Sequence, residues 1–478
     1  MRASDSVILA IVKSKTKKLR PAVSTARAAA FDILLRVERD SAYASELLHS
    51  KIYDRLDPAD HSLATELVMG VLRWRSLLDA EIAKYSAQPL SRLDLEILCA
   101  LRLAVYQLRW LTRIPPRAAL NESVELVKRA RKRSAAPLVN AVLRKIAGGL
   151  DVREDSQHEI SSTSTETLAA SSAHPQWLLE RWVQAYGMGS AYHICRQDQT
   201  IPVAAIRLRV PKAEDELCRE GIELAPGALL ASARRVLRGD VANTAAFRSG
   251  MCAIQDEASQ LVAALVGNGT HVLDCCAAPG GKTAAIADRN PRAEIVAVEL
   301  HPHRAGLLQT LLSIRNQSAK NLGPIRIVAA DARGLPLAMK FDRILADVPC
   351  SGTGTLSRNP EIKWRLTPAD LTDLQLRQIA ILKSAMERVA PGGRLIYSTC
   401  SLESEENEEV IERVLAAEGA RENSGFRLLD CRAELQRLKD EGELMGADIS
   451  SLTSGPYLRT LPGVHPCDGF FAAILQKS

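Results

Sequence analysis

The 478-residue sequence has no apolar run approaching the roughly 20 residues that a membrane-spanning helix needs. The apolar stretch VILAIV at 7–12 is short. It is followed by KSKTKKLR rather than a small-residue cleavage site, so a signal peptide is not expected and a cytoplasmic location is. Ten cysteines include no CxxC pair and no Cys/His cluster with zinc spacing, so neither a disulfide framework nor a metal site is expected. Most of these cysteines read as buried thiols. The glycine-containing loop AAPGGKT at 277–283 matches neither GxGxxG nor GxxxxGK[ST], which disfavours a dehydrogenase and a P-loop ATPase.

Acidic residues are scarce in one place. Residues 101–150 hold eleven Lys/Arg against two acids, Glu122 and Glu125. Residues 1–150 carry a net charge of +11 and the remainder −5, so the overall +6 hides an asymmetry. A basic block of this kind is an electrostatic footprint for nucleic acid, with Arg131, Lys132 and Arg133 as candidate phosphate contacts. Lys363 and Trp364, in NPEIKWRLT, could contact RNA by charge and stacking.

The hydrophobic period divides the chain. From 24 to about 148 apolar residues recur at three- and four-residue spacing, as in LEILCALRLAVYQLRWL at 95–111, which predicts an all-α domain behind a basic extension at 1–23. Residues 149–173 are rich in Ser, Thr and Ala and read as a flexible linker. Residues 174–246 read as a small α+β module for RNA. From 247 to 478 the pattern becomes HVLDCC, AEIVAVE, IRIVAAD, FDRILADVPC and GRLIYSTC, short apolar strands in βα succession. This predicts an α/β Rossmann-like domain with a parallel sheet covered on both faces.

The chemistry-bearing residues follow these strands, at the carboxyl ends where open parallel sheets bind ligands. Asp274 ends the first strand. The loop after it, Cys276, Ala277, Ala278, Pro279, Gly280, Gly281 and Lys282, lets backbone approach a ligand at the start of a helix. Glu299 ends the second strand and suits the hydroxyls of a ribose. Asp331 ends the third and could accept from an adenine amino group. Asp347 follows the fourth, three residues before Cys350, and Cys400 follows the fifth. In strand order the acids point to a nucleoside-type cofactor. The cysteines, 50 residues apart, raise the question of which one attacks. A thiolate adding to C6 of cytosine makes C5 an enamine-like carbon able to take a methyl group, which is nucleophilic catalysis.

At DVPC (347–350), TCS (399–401), APGGKT, QDEASQL (255–261) and DGFFAAIL (468–475) the sequence resembles the RNA cytosine-C5 methyltransferases. The helical N-terminal region resembles a NusB-like RNA-binding domain, and the combination is similar to bacterial 16S rRNA methyltransferases. The resemblance implies S-adenosylmethionine as cofactor, bound by the residues from Cys276 to Lys282 and by Glu299, Asp331 and Asp347. It implies Cys400 as nucleophile, Cys350 as an aid to product release, and Asp347 near the target base. Val348 departs from the small residue common in the PC motif. The expectation is therefore a monomeric, metal-free enzyme that methylates 16S rRNA. A tRNA cytosine-C5 methyltransferase and a non-catalytic NusB-like RNA-binding scaffold are the alternatives.

Overall fold

The structure, a computed structural model, describes residues 23–50, 52–53, 56–149, 160–317, 323–419, 425–446 and 448–478. The basic extension expected at 1–23 lies outside them, apart from Val23. The chain divides into two compact units, residues 1–71 with 78–153 and residues 72–77 with 154–478.

The first unit is helical. Its helices include Thr25–Arg39, Leu95–Trp110, Pro116–Arg129 and Ala136–Gly148. The helix Leu95–Trp110 buries residues on nearly every side, including Cys99, Leu101, Leu103 and Val105, so it forms the centre of the bundle. Pro116 begins the next helix, where a missing N–H costs no intrahelical bond.

The second unit holds two sheets. The smaller is four-stranded, in the order β2 (Glu223–Pro226), β3 (Ala233–Arg238), β1 (Ala205–Leu208), β4 (Cys252–Ile254). It runs on to Ile254, beyond the expected module boundary at 246, because Cys252–Ile254 pairs with β1. The larger sheet has a parallel heart: β9 (Val389–Thr399), β8 (Phe341–Asp347), β5 (His271–Asp274), β6 (Glu294–Glu299) and β7 (Ile325–Ala329), in that spatial order. The chain fills β5, β6 and β7 outward, then crosses back to lay β8 on the other side of β5. The switch point therefore lies between β5 and β8. The sheet is mixed rather than wholly parallel. β10 (Phe426–Leu429), β11 (Thr453–Ser454), β12 (Tyr457–Thr460) and β13 (Phe470–Lys477) extend it, and β13 pairs antiparallel with β9 from Phe471↔Thr399 to Gln476↔Arg394. The apolar run FFAAIL supplies that strand, buried on both faces.

Residues 160–173, expected in a flexible linker, contain an ordered helix, Thr165–Ser172, with Ser164 accepting from the Thr167 N–H as its cap. Leu168 and Ala169 are buried beside Trp182 in one apolar cluster, so this segment is held by packing. The helical stretch Gln176–Asp198, expected in the small module and broken into two helices at Gly187 (φ +78°), shares that cluster with Leu356, Leu402 and Leu461 of the larger domain.

Two loops at the carboxyl edge of the large sheet touch through glycine backbones. The Gly469 N–H donates to the Gly354 carbonyl at 2.8 Å. A Cβ on Gly354 would fall 2.2 Å from the Gly469 oxygen. Gly354→Ala is expected to cost about 1–3 kcal/mol through forced backbone separation. Gly306→Ala, in a helix with nothing within 4 Å of the new methyl, is expected to stabilise by up to about 1 kcal/mol. Unfolding midpoints of the two full-length variants check the opposite signs.

Candidate active site

Parallel pairing of β8 with β9 sets Asp347 beside Ser398. Both strands end there, so the residues just beyond, Cys350 and Cys400, come out side by side. Their sulfurs are 3.1 Å apart, and the Cys400 N–H donates to the Cys350 sulfur at 3.3 Å. Both are free cysteines and both are partly exposed. The Cys350 thiol is pushed well above its ordinary range, first by its contact with Cys400 and then by burial. Cys350 is thus held as a thiol.

Asp347 has two partners. Lys282 Nζ lies 2.7 Å from Oδ2, and Ser398 Oγ donates to Oδ1 at 2.7 Å. Burial opposes the charge on Lys282, but Asp347 outweighs it and the ammonium titrates above its ordinary value. The same ammonium sits 4.8 Å from the centre of the Phe470 ring. Phe470 and Ser398 escaped the sequence reading as site residues, although DGFF was visible as a motif.

The loop after β5 is tied to both neighbouring strands: the Cys275 N–H donates to Leu345 and the Ala277 N–H to Val298. Ala278 and Pro279 carry the loop to Gly280, whose φ of +115° and whose Cβ position, 2.7 Å from Leu308 Cδ1, admit only glycine. Gly281 and Lys282 then open the helix Gly281–Arg289, whose first N–H groups lack intrahelical acceptors. A Cβ on Gly281 would meet nothing nearer than Gln255 Nε2 at 3.7 Å, so the loop borders open space. The Cys276 thiol is raised far above its usual range, chiefly by burial, and is neutral. Asp274 accepts from Thr283 Oγ1 at 2.6 Å and is pushed up to about 6 by burial. It braces the loop from beneath.

Glu299, 5% exposed, closes β6 and accepts from the His301 N–H at 3.0 Å. Asp331 follows β7, accepts from the Arg333 N–H and pairs with its guanidinium at 2.6 Å. An acid at the β6 end, an acid beyond β7 and a glycine turn before a helix start suit a nucleoside with a charged tail.

Further polar contacts tie the segments that follow the two cysteines. Arg358 bridges Asp468 at 2.7 Å and Asp256 at 3.2 Å. Burial, followed by the Asp256 charge, pushes Asp468 up to about 7. Arg181 and Trp182 donate to Glu403 at 2.7 and 3.0 Å, just past the TCS loop.

The expected RNA contacts divide. Arg131 and Arg133 are exposed, and Lys132 pairs with Asp94 at 2.8 Å. Arg113, Arg117, Arg144 and Lys145, not singled out from the sequence, are exposed too. By contrast Arg102, Arg109, Lys128 and Arg129 have acidic partners. Lys363 is a correction: it is 1% exposed, and burial lowers it to about 7 against the pull of Asp198. It faces the protein interior, where sequence alone gives a lysine no reason to be.

Residues 262–476 match the family model described as 16S rRNA methyltransferase RsmB/F, and residues 24–148 match the NusB family. The Probable ribosomal RNA small subunit methyltransferase B of Bacillus subtilis is 33% identical over 95% of this chain and 99% of its own. The protein of that name from Synechocystis is 32% identical over 95% of this chain and all of its own. The crystal structure of PH0851 has the same fold over 95% of this chain and 98% of its own, with a TM-score of 0.75 at 24% identity. The two matched segments coincide with the helical unit and with most of the large-sheet domain, and the chain belongs to the ribosomal RNA small subunit methyltransferase B family, in which a NusB-family domain precedes a methyltransferase domain.

Proposed function

We propose that this protein transfers a methyl group from S-adenosylmethionine to C5 of a cytidine in 16S rRNA, through a bond between Cys400 and C6 of the base. The observation that carries this reading is the pair of sulfurs 3.1 Å apart, at the ends of adjacent parallel strands and next to the Asp347–Lys282 ion pair. The relatives named above are small-subunit rRNA methyltransferases, which favours rRNA over tRNA as substrate. A scaffold without chemistry has no use for two cysteines held at this spacing. Its cytoplasmic location is part of the same reading; no helix among the described residues is long and apolar enough to cross a membrane.

The cofactor, when bound, supplies a methyl group on a positively charged sulfur. The residues from Cys276 to Lys282 would hold its charged tail, Glu299 its ribose hydroxyls and Asp331 its adenine amino group. Asp347, fixed by Lys282 and Ser398, faces the target base and accepts from its amino edge. The Cys400 thiolate adds to C6 and the electron pair moves to C5, which forms its bond to the methyl carbon as the methyl–sulfur bond breaks. Loss of the C5 proton to a base restores the C5–C6 double bond and expels the Cys400 sulfur. Cys350, a neutral thiol against that sulfur, donates to it as it leaves. The base must leave its helical stack for C6 to be reached.

The test uses Cys400→Ala and Cys350→Ala proteins with unmodified 16S rRNA and labelled cofactor. Cys400→Ala is expected to form no denaturant-resistant RNA adduct, and Cys350→Ala to accumulate one with little turnover. The reverse pattern would make Cys350 the nucleophile and defeat the assignment. RNA binding gives a second expectation. Replacing Arg131 and Arg133 together by Ala should flatten the slope of log affinity against log salt by roughly 0.7–0.9 per lost phosphate contact. Lys363→Met should leave that slope as it is, since the ammonium is inside the protein.

A further inference from the structure

Both cysteines sit in loops, yet neither loop is loosely held. Cys350 lies between Pro349 and Ser351. The Pro349 carbonyl accepts from Gln378 Nε2 at 2.9 Å, and the Ser351 N–H donates to Glu406 Oε1 at 2.8 Å. Cys400 lies between Thr399 and Ser401. Thr399 donates to Asn407 Oδ1 at 2.5 Å, and Ser401 donates its hydroxyl to Glu406 Oε2. Asn407 Nδ2 closes the arrangement on the Ser401 carbonyl at 2.9 Å, and Tyr397 donates to the Glu406 carbonyl at 2.6 Å. One side chain, Glu406, therefore grips both loops. It is fully buried and also accepts from Gln378 Nε2 at 2.9 Å. Three donors and no acceptor facing it is the surroundings of a carboxylate.

We propose that Glu406 is the positioning residue of this active site: by holding Ser351 with one oxygen and Ser401 with the other, it sets the separation of the two sulfurs and keeps the negative charge of the thiolate off Cys350. The inference rests on the reading of Cys400 as nucleophile. A buried carboxylate serves that division of labour in two ways. Geometrically it joins the residue after each cysteine to a common point, so the sulfurs cannot drift apart when a base enters between the loops. Electrostatically it places a fixed negative charge beside Cys350, where a second negative charge is disfavoured. Glu406 is among the groups that raise the Cys350 thiol, after the Cys400 contact and burial. Tyr397 on β9 lies within electrostatic reach of Cys350, and Lys282 at the start of the helix after β5 within reach of Cys400.

Glu406→Gln is nearly isosteric and keeps an acceptor for Ser351 while removing the charge. The experiment titrates Cys350 by site-resolved alkylation in full-length Cys400→Ser protein, with and without Glu406→Gln. The expected result is a fall of about one pH unit in the half-reaction point of Cys350 when the charge is removed. A role confined to folding would not move that titration, and an unmoved Cys350 overturns the proposal. In protein with both cysteines, Ser401→Ala keeps the carboxylate but cuts its hold on the nucleophile loop. It is expected to lower kcat at least tenfold with KM for S-adenosylmethionine unchanged, and an unchanged kcat also overturns the proposal. This second variant decides the matter if Glu406→Gln does not fold. The titration does not depend on which cysteine attacks. A wrong nucleophile shows in the adduct assay, and a wrong role for Glu406 shows in the titration and the Ser401→Ala rate.

Discussion

The side-by-side register of β8 and β9 is the constraint on which the site depends. Asp347 pairs with Ser398, and a one-residue slip would turn every side chain of one strand to the opposite face. Such a slip would remove the Ser398 bond from Asp347 and separate the sulfurs. Burial enforces the register. Ile344, Leu345, Ala346, Leu395, Ile396 and Tyr397 are all fully buried, so neither strand has a face that tolerates misalignment. The chemistry is thus specified by the apolar core beneath it rather than by the loops that carry it.

Around that pair of strands the molecule arranges charge in layers. Lys282 and Asp347 neutralise each other at the switch point between β5 and β8. Glu406 holds the residue after each cysteine, and Arg358 with Asp256 and Asp468 forms a third group. Each buried acid in these groups has a donor, which is the condition for a charge to be kept in a dry site. The helical segment before the break at Gly187 adds mechanical support through Arg181 and Trp182, so a segment that begins outside the methyltransferase fold helps hold the loop of the TCS motif.

Much of this was legible in the sequence because strand ends announce themselves. An apolar run followed by an acid or a cysteine places that residue at the carboxyl edge, and the five parallel strands follow from this, although β7 stops at Ala329 and leaves Asp331, expected to end it, in the turn beyond. Three features were not legible. Leu168, Ala169 and Ser172 are buried in the helix Thr165–Ser172, yet a stretch made mostly of Ser, Thr and Ala reads as a linker. Lys363 is buried with its Nζ donating to the Arg73 carbonyl at 3.0 Å, an acceptor remote in sequence, and a lone lysine carries no mark of such a partner. Glu406 sits in SEEN, a run of acids that looks like a solvated helix start; its burial follows from Ser351, Ser401 and Gln378 converging on it from three separate segments.

The position of β13 has a consequence for how the protein comes into being. This strand is later in the chain than every other strand of the sheet, yet it lies inside it, between β9 and β12. Until it is added, the strand bearing the TCS motif has an open edge of unpaired N–H and C=O groups, with an apolar face on either side of it. A nascent chain that has produced both cysteines therefore still lacks a finished site and presents a strand edge to its neighbours. The sheet edge beside the TCS motif is closed only when this strand is inserted, and an open edge of that kind favours pairing with other copies.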